Sequence, residues 1–140
     1  MDRDPETGDL VMALARRVRR ATLDALAGWG VTPSQSRALR VVGSSDAGMR
    51  LSALADSLHI APRSATEVAD ALEQRGWVRR SPDPGDRRAT LLSLTDAGHA
   101  LLAEVDVARR TASEDALAVL TPTQRRTLHD ILTVVVGEDQ

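Results

Sequence analysis

The stretch that most constrains this chain runs from Leu51 to Gly98, where LSALADSLHI is followed by APRSATEVADALEQRG and then by WVRRSPDPGDRRATLLSLTDAG. It reads as a short helix, a tight turn, a second helix with one apolar face, and a hairpin whose tip carries paired arginines. The apolar face is set by Ala65, Val68, Ala69 and Leu72, spaced i, i+3, i+4 and i+7. This order of elements is that of a winged helix-turn-helix, in which one helix suits a DNA major groove and a basic loop suits the minor groove. The expected fold is therefore mainly α with a small β-wing.

Within this stretch, Met49-Arg50-Leu51 can add a short strand to the hairpin. Ser52 can then cap a third helix, Ala53 to His59, with Leu54, Ala55 and Leu58 facing inward. A fourth helix opens at Pro62 and closes at Gly76, and its polar side near the start is Arg63, Ser64, Thr66 and Glu67. Arg63 can donate a bidentate pair to guanine, Ser64 and Thr66 can contact a base or phosphate, and Glu67 can accept from cytosine N4. In an isolated helix these four would be read simply as a solvated face; the turn before them and the wing after them favour a DNA-reading role. Asp70 and Glu73, farther along, would repel phosphate if they lay close to it, so only the first two turns are expected in the groove. Strands are expected at Trp77–Ser81 and Ala89–Leu94, joined by a loop Pro82–Arg88 rich in turn formers. Arg87 and Arg88 suit a narrow minor groove, with Asp86 placed to orient a neighbouring guanidinium.

Composition narrows the alternatives. At 140 residues without cysteine, the chain fits one domain (1–140) with an aliphatic core, and thiol redox switching and cysteine-ligated zinc are excluded. No apolar run reaches membrane-spanning length and the N-terminus, MDRDPETGD, is acidic, so a cytoplasmic protein is expected. Trp29 and Trp77 are the only aromatic residues, which argues against base-stacking platforms for single strands. The net charge of −2 hides an uneven distribution: residues 30–90 carry nine Arg against seven acids, and residues 91–140 carry four against eight. Any field that attracts DNA must come from local placement.

Residues 2–9 read as disordered or as a short arm. A first helix from Leu10 has apolar positions at Leu10, Leu14, Val18, Ala21, Ala25 and Leu26, with Arg16, Arg17, Arg19 and Arg20 between them, and ends at Gly28 and Gly30 around Trp29. Thr32-Pro33-Ser34-Gln35 is a capping box with proline at the first helical position, opening a second helix to about Gly43 that buries Ala38, Leu39 and Val42. Thr95 can cap a fifth helix reaching towards Leu120, and Thr121-Pro122-Thr123-Gln124 opens a last helix bearing Leu128, Ile131, Leu132, Val135 and Val136. Terminal helices this apolar need a cover, and a second copy of the chain is the simplest one. Residues 31–94 are thus expected to form the DNA-binding lobe, with 9–30 and 95–140 as dimerisation helices.

The order of six helices with a wing between the fourth and fifth, and DRRATLLSLTDAG at 86–98 after ALEQRGWVRR at 71–80, resembles the multiple-antibiotic-resistance regulator (MarR) family of bacterial transcription factors. The resemblance covers nearly the whole chain. It implies a homodimer joined through the terminal helices, a fourth helix reading a pseudo-palindrome in double-stranded DNA, and Arg88, with Arg87 beside it, in the minor groove. It also implies release of DNA by a small-molecule effector of unknown identity, for which Arg16, Arg20 and Trp29 are weak candidate contacts. Two regions depart from the family pattern: Ala61-Pro62 stands where a small polar residue often opens the recognition helix, and Glu67 where a basic one is common. His59, His99 and His129 are scattered singly and offer no metal-ligand spacing. The expected function is a homodimeric repressor without cofactor or metal. The alternative is a winged-helix protein-interaction module, motivated by Glu67, Asp70 and Glu73. No catalytic constellation is present in the sequence.

Overall fold

The structure is a computed structural model that describes residues 5–137. In chain order, helix α1 (Thr7–Ala25) and a 3-10 turn (Ala27–Trp29) precede α2 (Pro33–Gly43), strand β1 (Met49–Arg50), α3 (Leu51–Leu58) and α4 (Pro62–Gln74). Strands β2 (Val78–Asp83) and β3 (Asp86–Leu94) form the hairpin, and α5 (Asp96–Ala116) and α6 (Pro122–Val136) complete the fold. The described chain forms two compact units, Leu23–Ala108 and the remainder, with the divisions inside α1 and α5.

The Leu23–Ala108 unit holds an aliphatic core. Leu39, Leu54, Leu72, Leu92 and Leu101 are fully buried, joined by Val42, Val78, Val105 and Trp77. Each buried leucine contributes roughly 1.5–3 kcal/mol relative to exposure. The sheet has the order β1-β3-β2, antiparallel throughout, with Met49 opposite Leu92, Arg50 opposite Leu91 and Val78 opposite Leu94.

A joint between α4, β2 and α5 explains the Leu-Thr-x-x-Gly segment. Thr95 donates its backbone N–H to the Trp77 carbonyl at 3.0 Å, its hydroxyl donates to the Gly76 carbonyl, and the hydroxyl oxygen accepts from the Gly98 N–H at 3.0 Å. A β-carbon on Gly98 would sit 1.9 Å from the Trp77 carbonyl oxygen, so only glycine allows this approach. Gly76, at φ 74°, turns the chain out of α4 in the left-handed conformation usual after a helix end.

Several local expectations need correction. Ser52 does not cap α3: Arg50 pairs with Leu91 in an extended conformation and the helix begins directly at Leu51, without a side-chain cap. Helix α4 ends at Gln74, and Gly76 lies just beyond it. The interval Pro82–Arg88 is not an open loop, since pairing continues to Asp83 opposite Asp86 around a two-residue turn. Helix α5 stops at Ala116, because the chain must tighten into i→i−3 bonds before Thr121 adopts the extended cap conformation of α6. Helix α1 starts at Thr7, inside the expected arm, whose residues 2–4 lie outside the described part. Both capping boxes form as expected, at Thr32–Gln35 and Thr121–Gln124.

In the unit formed by the chain ends, Ala112 and Ala116 are buried. The α6 residues Ile131, Leu132, Val134, Val135 and Val136 and the α1 residues Leu10, Val11 and Met12 are exposed, Val134 at 82%.

Candidate nucleic-acid interface

Helix α4 buries Ala65, Ala69 and Leu72 completely and leaves Arg63, Ser64, Thr66 and Glu67 exposed. The heptad-like spacing read from the sequence thus puts all four candidate residues on the solvent side of the first two turns. The helix start, where Pro62 follows Ala61, has no side-chain cap among the described residues, and Ala61 to Ser64 are all exposed. The Thr66 hydroxyl donates to the Pro62 carbonyl at 3.1 Å and retains acceptor capacity.

The acids farther along α4 share one cation. Arg80, on β2, donates to Asp70 through Nη2, and its Nη1 lies 3.8 Å from Glu73 Oε1. Arg80 Nε is buried without a hydrogen-bond partner, which marks this side chain as wedged between helix and strand. The end of α4 is fixed by Arg75, whose guanidinium donates to the carbonyls of Trp29 and Gly30 and lies 4.2 Å from the centre of the Trp77 ring. The sequence reading of Asp70 and Glu73 did not include Arg80, which, two positions after inward-facing Val78 on a strand, shares the face of β2 that packs on α4.

On the wing, Asp83 accepts the Gly85 N–H at 2.9 Å through Oδ1. Its Oδ2 accepts from Arg50 Nε at 2.8 Å, with Arg50 Nη2 at 2.6 Å. The Gly85 N–H first, and the Arg50 guanidinium second, hold the Asp83 carboxyl below its ordinary value of 3.8 against a small opposing effect of burial. Asp86 does not orient a guanidinium as expected: its Oδ1 accepts the backbone N–H of Arg88 at 2.9 Å, because the tight turn brings that amide within reach. Arg87 and Arg88 are exposed on β3, and Arg79, which sequence reading passed over, is exposed on β2. None of the three is in an ion pair among the described residues.

The remaining candidates are dispersed. Arg16 and Arg20 lie one turn apart on the exposed side of α1. Trp29 has a ring 39% exposed and gives its carbonyl to Arg75. A shallow groove of about 360 Å³ lies between α2 and α3, lined in part by Arg37, Arg40, Ser57 and His59, and does not include the predicted effector contacts. No group of three or more His, Cys, Asp or Glu able to hold a metal occurs among the described residues, and no described helix is long and apolar enough to cross a membrane.

Residues 31–90 match the MarR family. The HTH-type transcriptional repressor MdtR of Bacillus subtilis is 31% identical over 111 residues, covering 79% of this chain and 71% of that protein. The YusO protein of the same species, known from its crystal structure, is 28% identical with a TM-score of 0.75, covering 90% of this chain and 89% of YusO. Wild-type apo MarR from Escherichia coli superposes with a TM-score of 0.85 over 97% of this chain and all of that one, at 23% identity.

Proposed function

From the premise that this chain belongs to the MarR family, whose members matched here are transcriptional regulators and not enzymes, we propose that it is a homodimeric, cytoplasmic repressor that binds a pseudo-palindromic operator. The observation that carries the reading is the charge layout of the winged lobe. Asp70 and Glu73 share Arg80 and Asp83 holds Arg50, while Arg63, Arg79, Arg87 and Arg88 are exposed and in no ion pair among the described residues. Affinity then comes from phosphate neutralisation by the wing, and base contacts from Arg63, Ser64, Thr66 and Glu67 give sequence preference. The same layout counts against a protein-interaction module, since two of the three acids that motivated it, Asp70 and Glu73, lie against Arg80.

The apolar residues exposed on α1 and α6 support a dimer, because patches of this kind are rarely left to water. Small-molecule release belongs to the same proposal, with Arg16, Arg20 and Trp29 as candidate contacts. The test is selection of bound duplexes from a random library, followed by anisotropy titrations in rising salt and sedimentation of the free protein. A recovered inverted repeat, steep salt dependence and a two-chain mass are expected. Absence of sequence preference at low salt sinks the regulatory reading, and a monomer mass sinks the dimer.

A further inference from the structure

The β2–β3 ladder slips register between Pro82 and Asp83, immediately before the turn that carries the wing's arginines. Pro82 has no N–H to donate, and beyond the slip the only pairing left is Asp83 opposite Asp86. Main-chain pairing alone therefore fixes the turn weakly. At this point the Arg50 side chain reaches from β1, on the far edge of the sheet, past the centre strand β3 to Asp83 on β2. Arg50 is also the residue from which α3 starts, so one guanidinium links the beginning of the helix-turn-helix to the wing turn. The carboxylate it grips is bound on its other oxygen by Gly85, inside the turn.

Resting on the DNA-binding reading above, we propose that Arg50 is a positioning residue for the wing. It holds Asp83, Asp83 holds the Gly85 amide, and the turn so fixed sets where Arg87 and Arg88 stand relative to α4, without Arg50 itself touching DNA. The Asp83 side chain is only 14% exposed, so it is committed to these two partners, whereas Arg50 at 48% keeps its outer edge in water.

The test uses the full chain with Arg50→Ala, Asp83→Ala and the double substitution. Two readouts are followed: the Gly85 amide resonance during acid titration, and anisotropy with a duplex from the selection above. In the wild type the Gly85 resonance should titrate with a midpoint below 3.8, the ordinary Asp83 value, and in Arg50→Ala that midpoint should move up. Each single substitution should weaken DNA binding about fivefold, and the double should be no weaker than either single. Weaker binding in Arg50→Ala with none in Asp83→Ala would show a direct phosphate contact and overturn the proposal. A Gly85 midpoint that ignores Arg50→Ala overturns it as well. Should the wild type bind no duplex, the regulatory reading falls, and the Gly85 titration alone decides whether Arg50 fixes the turn.

Discussion

Helix α4 and the wing belong to one compact unit but are attached to it in opposite ways. Helix α4 sinks three side chains completely into the core and is clamped further by Arg75 and Arg80. The outer wing is seated lightly: Asp86, Arg87 and Arg88 are all exposed, and beyond the register shift the strands are joined by the single pair Asp83–Asp86, with Arg50 on the Asp83 carboxylate. Charge follows the reverse order. Over its first two turns the helix exposes Arg63 against Glu67, close to neutral, while the wing exposes Arg79, Arg87 and Arg88 with Asp86. The firmly seated element is suited to discriminating bases, and the lightly seated one to attracting the backbone.

Substitutions can break this division. Arg87→Ala with Arg88→Ala should lower DNA affinity on the order of a hundredfold at low salt and reduce the log–log salt slope by about 2 per chain, with circular dichroism unchanged because both side chains are exposed. Arg63→Ala should cost about tenfold, concentrated at one base-pair position of the selected operator, with the slope little altered. If the helix variant flattened the salt slope more than the wing variant, the assignment would be inverted. Arg80→Ala should release Asp70 and Glu73 toward the phosphates and weaken binding about threefold, and adding Asp70→Asn and Glu73→Gln should restore it. The smallest effect concerns pH. Because folding lowers the Asp83 pKa, its contribution is complete above 3.8 and is lost only as pH falls through the lower folded value. Wing-dependent affinity should therefore stay flat from about pH 6 to 8 as far as this group is concerned.

Legibility from sequence followed the range of the interactions involved. The starts of α2 and α6 were readable because Thr32–Gln35 and Thr121–Gln124 each contain both halves of a capping box within four residues. The α4 stripe was readable because Ala65, Ala69 and Leu72 repeat at helical spacing. The start of α3 was not, since it is decided by Arg50 pairing with Leu91, distant in the chain. For the same reason the partners of Asp70 and Asp83 stayed hidden: Arg80 is ten positions away from the first and Arg50 thirty-three from the second. The wing's proline, glycine and aspartate content signalled a turn correctly, but composition alone could not show that pairing runs up to a two-residue tip. For the candidate interface, the exposure of Arg63, Ser64, Thr66 and Glu67 was legible, whereas the pairing of Arg80 with their acidic neighbours was not.

The seating of Arg75 has an optical consequence. Trp77 and Trp29 are the chain's only aromatic side chains, and tyrosine and phenylalanine are absent, so near-ultraviolet emission comes from two indoles alone. One indole is 5% exposed beneath a guanidinium, and the other is 39% exposed on the segment whose carbonyls that guanidinium binds. The first emits from a dry, rigid setting and the second from a wet one, and a single arginine touches both settings. The colour of the protein's own fluorescence is thus a gauge of how the end of helix α4 is seated, readable without any attached label.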